Sequence, residues 1–105
     1  MARISYRRKV SNASQAYIIV RIVREKARRL GYTTEIFRDD EKYGVVVRHG
    51  GEEFKLLFRR CEDGGYIAGG EFSTENMDFF RDIYTILRKV KAGMYVWVSE
   101  VVENA

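Results

Sequence analysis

Two segments of the chain repeat apolar residues every three or four positions, the spacing that places them on one face of an α-helix. The first segment, residues 12–30, begins with Asn12 and Gln15 and is followed by Gly31. Asparagine and glutamine at this spacing are typical of a capping box, and a glycine after the last turn ends a helix. Its apolar positions are Ala16, Ile19, Val20, Val23, Ala27 and Leu30. We therefore predict a first helix here, with one face toward a core.

The second segment with helical spacing covers residues 74–91. Ser73 is the expected N-cap, and Gly93 is expected to close the helix. The apolar positions are Phe79, Phe80, Ile83, Ile86, Leu87 and Val90. Such a wide aromatic and aliphatic stripe indicates a helix that packs on a core, and we predict the second helix here.

Between the two predicted helices the chain is rich in aromatic and β-branched residues, which favour strands. We predict strands over residues 32–38, 43–49, 52–60 and 66–72. Residues 94–102 have the tyrosine, valine and tryptophan content of a last strand, although a short helix there is not excluded. The expected fold is α+β with the order α-β-β-β-β-α-β, a two-layer sandwich in which two helices pack on one face of an antiparallel four- to five-stranded meander.

Gly50 and Gly51 lie between the two strongest strand candidates and predict a two-residue hairpin turn, which needs positive φ at both central positions. In the resulting register His49 pairs with Glu52. The pairs on one face are Val47 with Phe54, Val45 with Leu56 and Tyr43 with Phe58, and those on the other are Arg48 with Glu53, Val46 with Lys55 and Lys42 with Arg59. A shift of one residue would mix the two faces, so the hydrophobic pattern fixes this register.

The same stretch, RHGGEEFKLLF at residues 48–58, resembles the active-site hairpin of diguanylate cyclases, in which two glycines admit the substrate and an acidic residue helps to hold a metal ion. That family also takes an aspartate and an asparagine from an upstream strand and helix, whereas the upstream helix here has Glu25 as its one acid. A short motif without its structural context is weak support for an activity. Since the register explains both glycines, we interpret residues 50–54 as a turn and predict no enzymatic activity.

Length and composition indicate a single folded domain over residues 1–105. The chain is 46% hydrophobic and 32% charged, which is typical of a globular protein. It has no apolar stretch long enough to span a bilayer and no secretory signal at its start, so a cytoplasmic location is expected. The absence of proline and the abundance of Lys, Arg and Glu are compatible with a thermophilic source.

Positive charge is concentrated at one end of the chain. Residues 1–30 hold nine basic side chains and one acid, a net charge of +8, whereas the remaining residues have a net charge of −4. Residues 1–10 are expected to form a basic N-terminal arm or a short strand. The arginines of the first predicted helix recur at spacings of three and four, which places them on one stripe, although such a stripe is often only a solvated face.

This distribution favours a small basic nucleic-acid-binding protein, for DNA or RNA, that contacts the phosphate backbone with little sequence specificity. Arginine suits this role because its planar fork can donate two hydrogen bonds to a phosphate. The candidate contact residues are Arg3, Arg7, Arg8, Lys9, Arg21, Arg24, Arg28, Arg29, Arg48, Lys55 and Arg59.

The alternative hypothesis is a protein-interaction module without enzymatic activity, a homodimer that uses an apolar sheet face. The face opposite the predicted helices carries apolar residues that would need cover from the C-terminal strand, another subunit or a ligand. The candidate interface residues are Val46, Leu57, Ile67, Tyr95 and Trp97.

Other chemistry has little support in the sequence. Cys61 and His49 are expected at opposite ends of neighbouring strands, too far apart for a nucleophilic pair. The acidic run at residues 39–41 lacks the spaced oxygen ligands of a calcium loop. We therefore predict no metal site, no cofactor and no small-molecule substrate.

Overall fold

The structure is a computed structural model that describes residues 2–90 and the backbone of residues 95–101. These residues form β1 (Ala2–Val10), α1 (Ala13–Arg29), β2 (Thr33–Arg38), β3 (Lys42–His49), β4 (Glu52–Arg60), β5 (Tyr66–Thr74), α2 (Met77–Lys89) and β6 (Tyr95–Val101). The strands form one antiparallel sheet in the order β2-β3-β4-β5-β1-β6. The predicted α+β class is confirmed. The predicted order of helix, four strands, helix and strand is also confirmed, and one additional strand, β1, comes before it.

Strand β1 lies inside the sheet, between β5 and β6, and is not a projecting arm. Ala2, Ile4, Tyr6 and Val10 point toward the helices and are buried. Arg8 takes the inward position at which a further apolar residue would have completed the alternation. This interruption, together with the other basic side chains, makes the strand pattern difficult to recognise in the sequence.

The core lies between the sheet and the two helices. Alternate side chains of β3 and β4 are buried there, together with the apolar stripes of α1 and α2. Helix α1 packs mainly on β3 and β2, and α2 packs on β1 and β5. Leu30, predicted as part of the α1 stripe, is instead the exposed C-cap residue. We call the sheet face opposite the helices the open face, because no helix covers it within the described residues.

The β3–β4 hairpin has the predicted register throughout, from Lys42 opposite Arg59 to His49 opposite Glu52. The turn differs in one detail. Gly50 has a φ of +59°, whereas Gly51 does not have a positive φ. Only the first glycine therefore uses the left-handed conformation that the sequence predicts for both.

The two helices begin differently from each other. At α1 a variant of the predicted capping box is present: Asn12 Oδ1 accepts a hydrogen bond from Gln15 N at 3.0 Å, and Gln15 Oε1 accepts one at 2.8 Å from the N–H of Ser11, the residue before the N-cap. The prediction of a helix start at residue 74, capped by Ser73, was wrong, because β5 continues through Thr74. Asn76 is the N-cap of α2 and accepts from Phe79 N at 3.1 Å. Gly93, the predicted end signal, lies outside the described residues.

Strands β4 and β5 pair over only three positions, from Arg60 opposite Tyr66 to Phe58 opposite Ala68. Beyond this point β5 continues along β1 without a β4 partner. Tyr6 bridges the separation: its ring packs edge-on against Phe54 and its hydroxyl donates to the Lys55 carbonyl oxygen at 2.5 Å. A buried tyrosine therefore joins strands that backbone hydrogen bonds leave apart.

Replacing Tyr6 with phenylalanine is expected to lower the free energy of unfolding by about 1–2 kcal/mol at neutral pH, because the Lys55 carbonyl loses its donor. Burial raises the pKa of Tyr6 to about 12. The unfolded chain loses this proton near pH 10, so the native protein binds more protons between about pH 10 and 12 and its stability falls with rising pH. The variant should show a smaller alkaline loss in denaturant titrations; an identical pH profile would contradict the assignment.

Candidate nucleic-acid interface

The basic residues predicted to contact nucleic acid lie on both sides of the sheet and do not form one patch. Those on the open face are Arg3, Arg7, Lys9, Arg48, Lys55 and Arg59, and those on the helix side are Arg8, Arg21, Arg24, Arg28 and Arg29. Strand alternation separates Arg8 from Arg7 and Lys9, and the sheet separates α1 from the open face. The expectation that Arg48, Lys55 and Arg59 extend the α1 surface is therefore corrected.

Three arginines of α1 form a stripe along the flank that faces β2 and β3. Arg21, Arg24 and Arg28 are spaced by three and four residues, so their side chains emerge on one side of the helix. Arg38, the last residue of β2, lies beside the same flank. We call these four residues the arginine face.

The hydroxyl of Tyr43 lies within the electrostatic reach of this group. Burial raises the pKa of Tyr43, whereas the positive charges of Arg38, Arg21 and Arg24 oppose the rise. Tyr43 stacks on Tyr17, Arg21 lies over the Tyr17 ring, and Arg38 lines the same depression as both tyrosines, so basic side chains from α1 and β2 lie near one another here. The arrangement is built by packing α1 against the β2–β3 edge of the sheet.

The arginine face has no acidic partner within the described part of the chain. None of its four arginines forms an ion pair, while the neighbouring Arg29 is paired with Glu25 at 3.3 Å. The Nε of Arg24 is buried and has no hydrogen-bond partner among the described residues. Glu25 and the acidic run at residues 39–41 lie beside this surface, but none of them forms an ion pair with its four arginines among the described residues. A cluster of guanidinium groups without ion pairs favours a polyanionic ligand.

Aromatic surface lies directly beside these charges. The rings of Tyr17 and Tyr43 stack with their centroids 5.4 Å apart and their planes at 18°. The guanidinium of Arg21 lies 5.5 Å from the centroid of the Tyr17 ring, which remains 47% exposed. This cation–π contact holds one guanidinium near the aromatic pair while leaving its charge at the surface.

On the open face, acids neutralise several of the predicted contact residues. Arg48 pairs with Glu35 at 2.5 Å and with Glu53 at 3.2 Å, and Lys55 pairs with Glu53 at 3.4 Å. Lys9 Nζ lies 2.7 Å from Asp63 Oδ2, and this contact lowers the pKa of the Asp63 carboxyl. At Arg3, Nε donates to Ser73 Oγ at 3.4 Å.

The apolar residues predicted as an interface are already partly covered. Val46 is only 5% exposed, although no described helix lies above it, and Leu57 and Ile67 are half-buried. Strand β6, which contains Tyr95 and Trp97, does not cover the open face as one hypothesis supposed, because it pairs with the edge of β1. The side chains of these two residues lie outside the described part of the structure.

Within residues 2–90 and 95–101 we find no cluster of three or more metal-ligating side chains. Cys61 and His49 lie at opposite ends of the β3–β4 hairpin. Glu53, within the stretch that resembles a cyclase hairpin, is engaged by Arg48 and Lys55. None of the helices described has the length and apolar character needed to cross a membrane.

Comparison with known proteins identifies no family model that matches the chain and no curated protein with significant sequence similarity. Any functional inference therefore depends on the geometry of the described residues.

Two basic residues with a place in the candidate sites were not among the predicted contact residues. Arg38 belongs to the arginine face, and Lys42 lies on the open face opposite Arg59. Alternation along β2, in which Thr34 and Ile36 point toward the helices, would have placed Arg38 on the helix side. The hairpin register likewise puts Lys42 beside Arg59, although nothing in the sequence indicates that neither forms an ion pair within the part of the chain that the structure describes.

Proposed function

We propose that this protein binds nucleic acid through the sugar-phosphate backbone, using the arginine face of α1 and β2. The observation that carries the proposal is that Arg21 and Arg38 lie beside the stacked pair Tyr17 and Tyr43, with Arg24 and Arg28 on the same stripe of α1. None of these four arginines forms an ion pair within the described part of the chain. Guanidinium groups without an ion pair among the described residues gain favourable contacts when phosphates replace water and counterions around them.

The arrangement favours contact with phosphates over recognition of bases. Phosphate contacts position a protein on nucleic acid, whereas sequence is recognised by side chains that reach base edges in a groove. Arg21 lies over the ring of Tyr17, and Arg24 is half-buried with its Nε enclosed. Neither projects freely from the helix, so we expect little discrimination between sequences.

Titration of fluorescently labelled duplex DNA and RNA by anisotropy tests this function. If each of the four arginines neutralises one phosphate, the logarithm of the binding constant should fall against the logarithm of salt concentration with a slope between about −3 and −4. Micromolar or tighter binding with this slope supports the proposal. Absence of binding at low salt, or binding without salt dependence, contradicts it.

The homodimer hypothesis rests on a separate observation, the half-buried Leu57 and Ile67 on the open face. An apolar interface responds weakly to salt, whereas phosphate contacts respond strongly. Light scattering of the free protein therefore distinguishes the two hypotheses: a dimer mass that persists at high salt supports the interface, and a monomer mass contradicts it.

A further inference from the structure

The open face contains a depression of about 610 Å³ above the point where β4 and β5 separate. Leu57 and Ile67 form its apolar floor, and Gly69 leaves one wall without a side chain. Arg7, Lys42 and Arg59 stand around it, contributed by β1, β3 and β4. The volume is in the range of sites that hold small organic ligands.

The strand register explains why this depression forms. Lys42 lies opposite Arg59, which lies opposite Ile67, so these three residues form one row across the sheet. In the next row of the open face, the β5 residue opposite Arg7 is Gly69. Because glycine has no side chain, the sheet surface is lower at this position. The result is a cavity with long basic side chains at its sides and apolar residues at its base.

The charges around the depression differ from those elsewhere on the open face. Lys9, Arg48 and Lys55 are each paired with an acid, whereas Arg7, Lys42 and Arg59 have no ion-pair partner among the described residues. No acidic side chain is among the described residues that line the cavity. Three cations without an ion pair among the described residues, around an apolar floor, are complementary to a ligand that combines an anionic group with an apolar one.

We propose that this depression binds a phosphorylated nucleoside. Arg7, Lys42 and Arg59 contact the phosphate, and the base lies on Leu57, Ile67 and the exposed peptide at Gly69. Two sources supply this chemistry, a free nucleotide and an unpaired nucleotide within a single strand. A duplex does not, because its bases are stacked inside the helix. The site is on the opposite side of the sheet from the arginine face and does not depend on the function proposed for that face.

Calorimetric titration with adenosine monophosphate, adenosine, inorganic phosphate and a short single-stranded oligoadenylate tests the site. The nucleotide should bind at least about tenfold more tightly than adenosine or phosphate alone, because only it has both groups. The comparison is made in the Arg21→Glu, Arg28→Glu variant, so that the arginine face does not contribute: tighter binding of the oligonucleotide than of the monophosphate then identifies a single strand as the source, and the reverse identifies the free nucleotide. Equal or absent binding of all four compounds overturns the proposal.

Two variants test nucleotide binding at the depression in different ways. Arg59→Ala removes one phosphate contact and should weaken nucleotide binding at least about tenfold. Gly69→Val leaves all charges in place and puts a branched side chain into the depression. A Cβ at Gly69 would meet only ordinary contacts, the nearest 3.4 Å away at the Tyr6 carbonyl oxygen, and valine is favoured in strands, so this variant should fold.

Arg60→Ala is the matched control, because Arg60 neighbours Arg59 in sequence but points to the other side of β4. It makes the same change in charge and should leave nucleotide binding within about twofold of the unmodified protein. Circular dichroism verifies that all three variants are folded. If Arg59→Ala and Gly69→Val bind nucleotide as well as Arg60→Ala does, the depression is not the site. If light scattering gives a dimer mass for the unmodified protein and a monomer mass for Gly69→Val, a second copy covers the open face, and this result also overturns the proposal.

Discussion

Replacing Gly44 with alanine is expected to lower the free energy of unfolding by about 3 kcal/mol, at the upper end of overpacking effects. Gly44 lies in the middle of β3, opposite Leu57. A Cβ there would be 2.0 Å from the Leu56 carbonyl oxygen and 2.8 Å from the Leu57 Cα. These are backbone atoms of the partner strand, so a change of side-chain rotamer cannot relieve the clash, and the β3–β4 pairing has to distort.

Thermal unfolding followed by circular dichroism measures this effect, and the midpoint should fall by roughly 15 °C for a domain of this size. Gly51→Ala is the matched control, because Gly51 does not have a positive φ and nothing lies within 4 Å of a Cβ placed there. The control should change the free energy of unfolding by no more than about 0.5 kcal/mol. Equal midpoints for the two variants would show that Gly44 is not held against β4 in the way described.

The double variant Arg21→Glu with Arg28→Glu is expected to reduce affinity for duplex nucleic acid at least about a hundredfold at low salt. Each arginine lost removes a charge-assisted hydrogen bond, and each such bond accounts for about a factor of ten. The salt slope should also become shallower by roughly 2, because two phosphate contacts disappear. Both side chains are exposed, and glutamate is compatible with a helix, so the fold should persist.

The matched control for this variant is Lys9→Glu with Lys55→Glu. It changes the net charge equally, but both lysines are on the open face and already paired, with Asp63 and Glu53 respectively. We expect its duplex affinity to fall several-fold through the change in overall charge, with the salt slope nearly unchanged. If the two double variants lose affinity equally, net charge rather than the arginine face governs binding.

Much of the fold could be predicted from local patterns. The alternation around residues 50 and 51 fixes the β3–β4 register, because a slip of one residue would expose Val45 and Leu56. Asn12 and Gln15 likewise identify the start of α1 through a local hydrogen-bonding pattern. Such signals depend on residues close together in the sequence, so they can be recognised without any knowledge of the tertiary structure.

The place of β1 could not be predicted in the same way. Its partners β5 and β6 are distant in sequence, and Arg8 interrupts its inward-facing apolar residues. The start of α2 was misplaced for a related reason: Ser73 is a good N-cap by residue type, but pairing with β1 keeps residues 73 and 74 in the strand. Tertiary pairing overrode a local preference in both cases.

The candidate sites likewise combine features that the local sequence predicts with features that only the tertiary structure determines. Helical spacing alone groups Arg21, Arg24 and Arg28, whereas the contribution of Arg38 depends on how α1 packs on the sheet. Composition counts every basic residue equally and cannot distinguish Arg48, which is paired with two acids, from Arg59, which has no ion pair among the described residues. The three-dimensional positions of the acids are needed to see that the arginine face and the depression on the open face have no ion pairs among the described residues, whereas other basic residues do.

The most direct test of the central claim is a two-dimensional amide NMR titration of the isotope-labelled protein with a short duplex at low salt. A duplex has phosphates but no unpaired base for the depression on the open face, so we expect it to bind the arginine face in preference to the depression. Binding by the arginine face predicts that amide shifts concentrate in α1 and at the end of β2 near Arg38, and that they reverse on addition of salt. Shifts confined to β1, β4 and β5 on the open face, or no shifts at all, would contradict it.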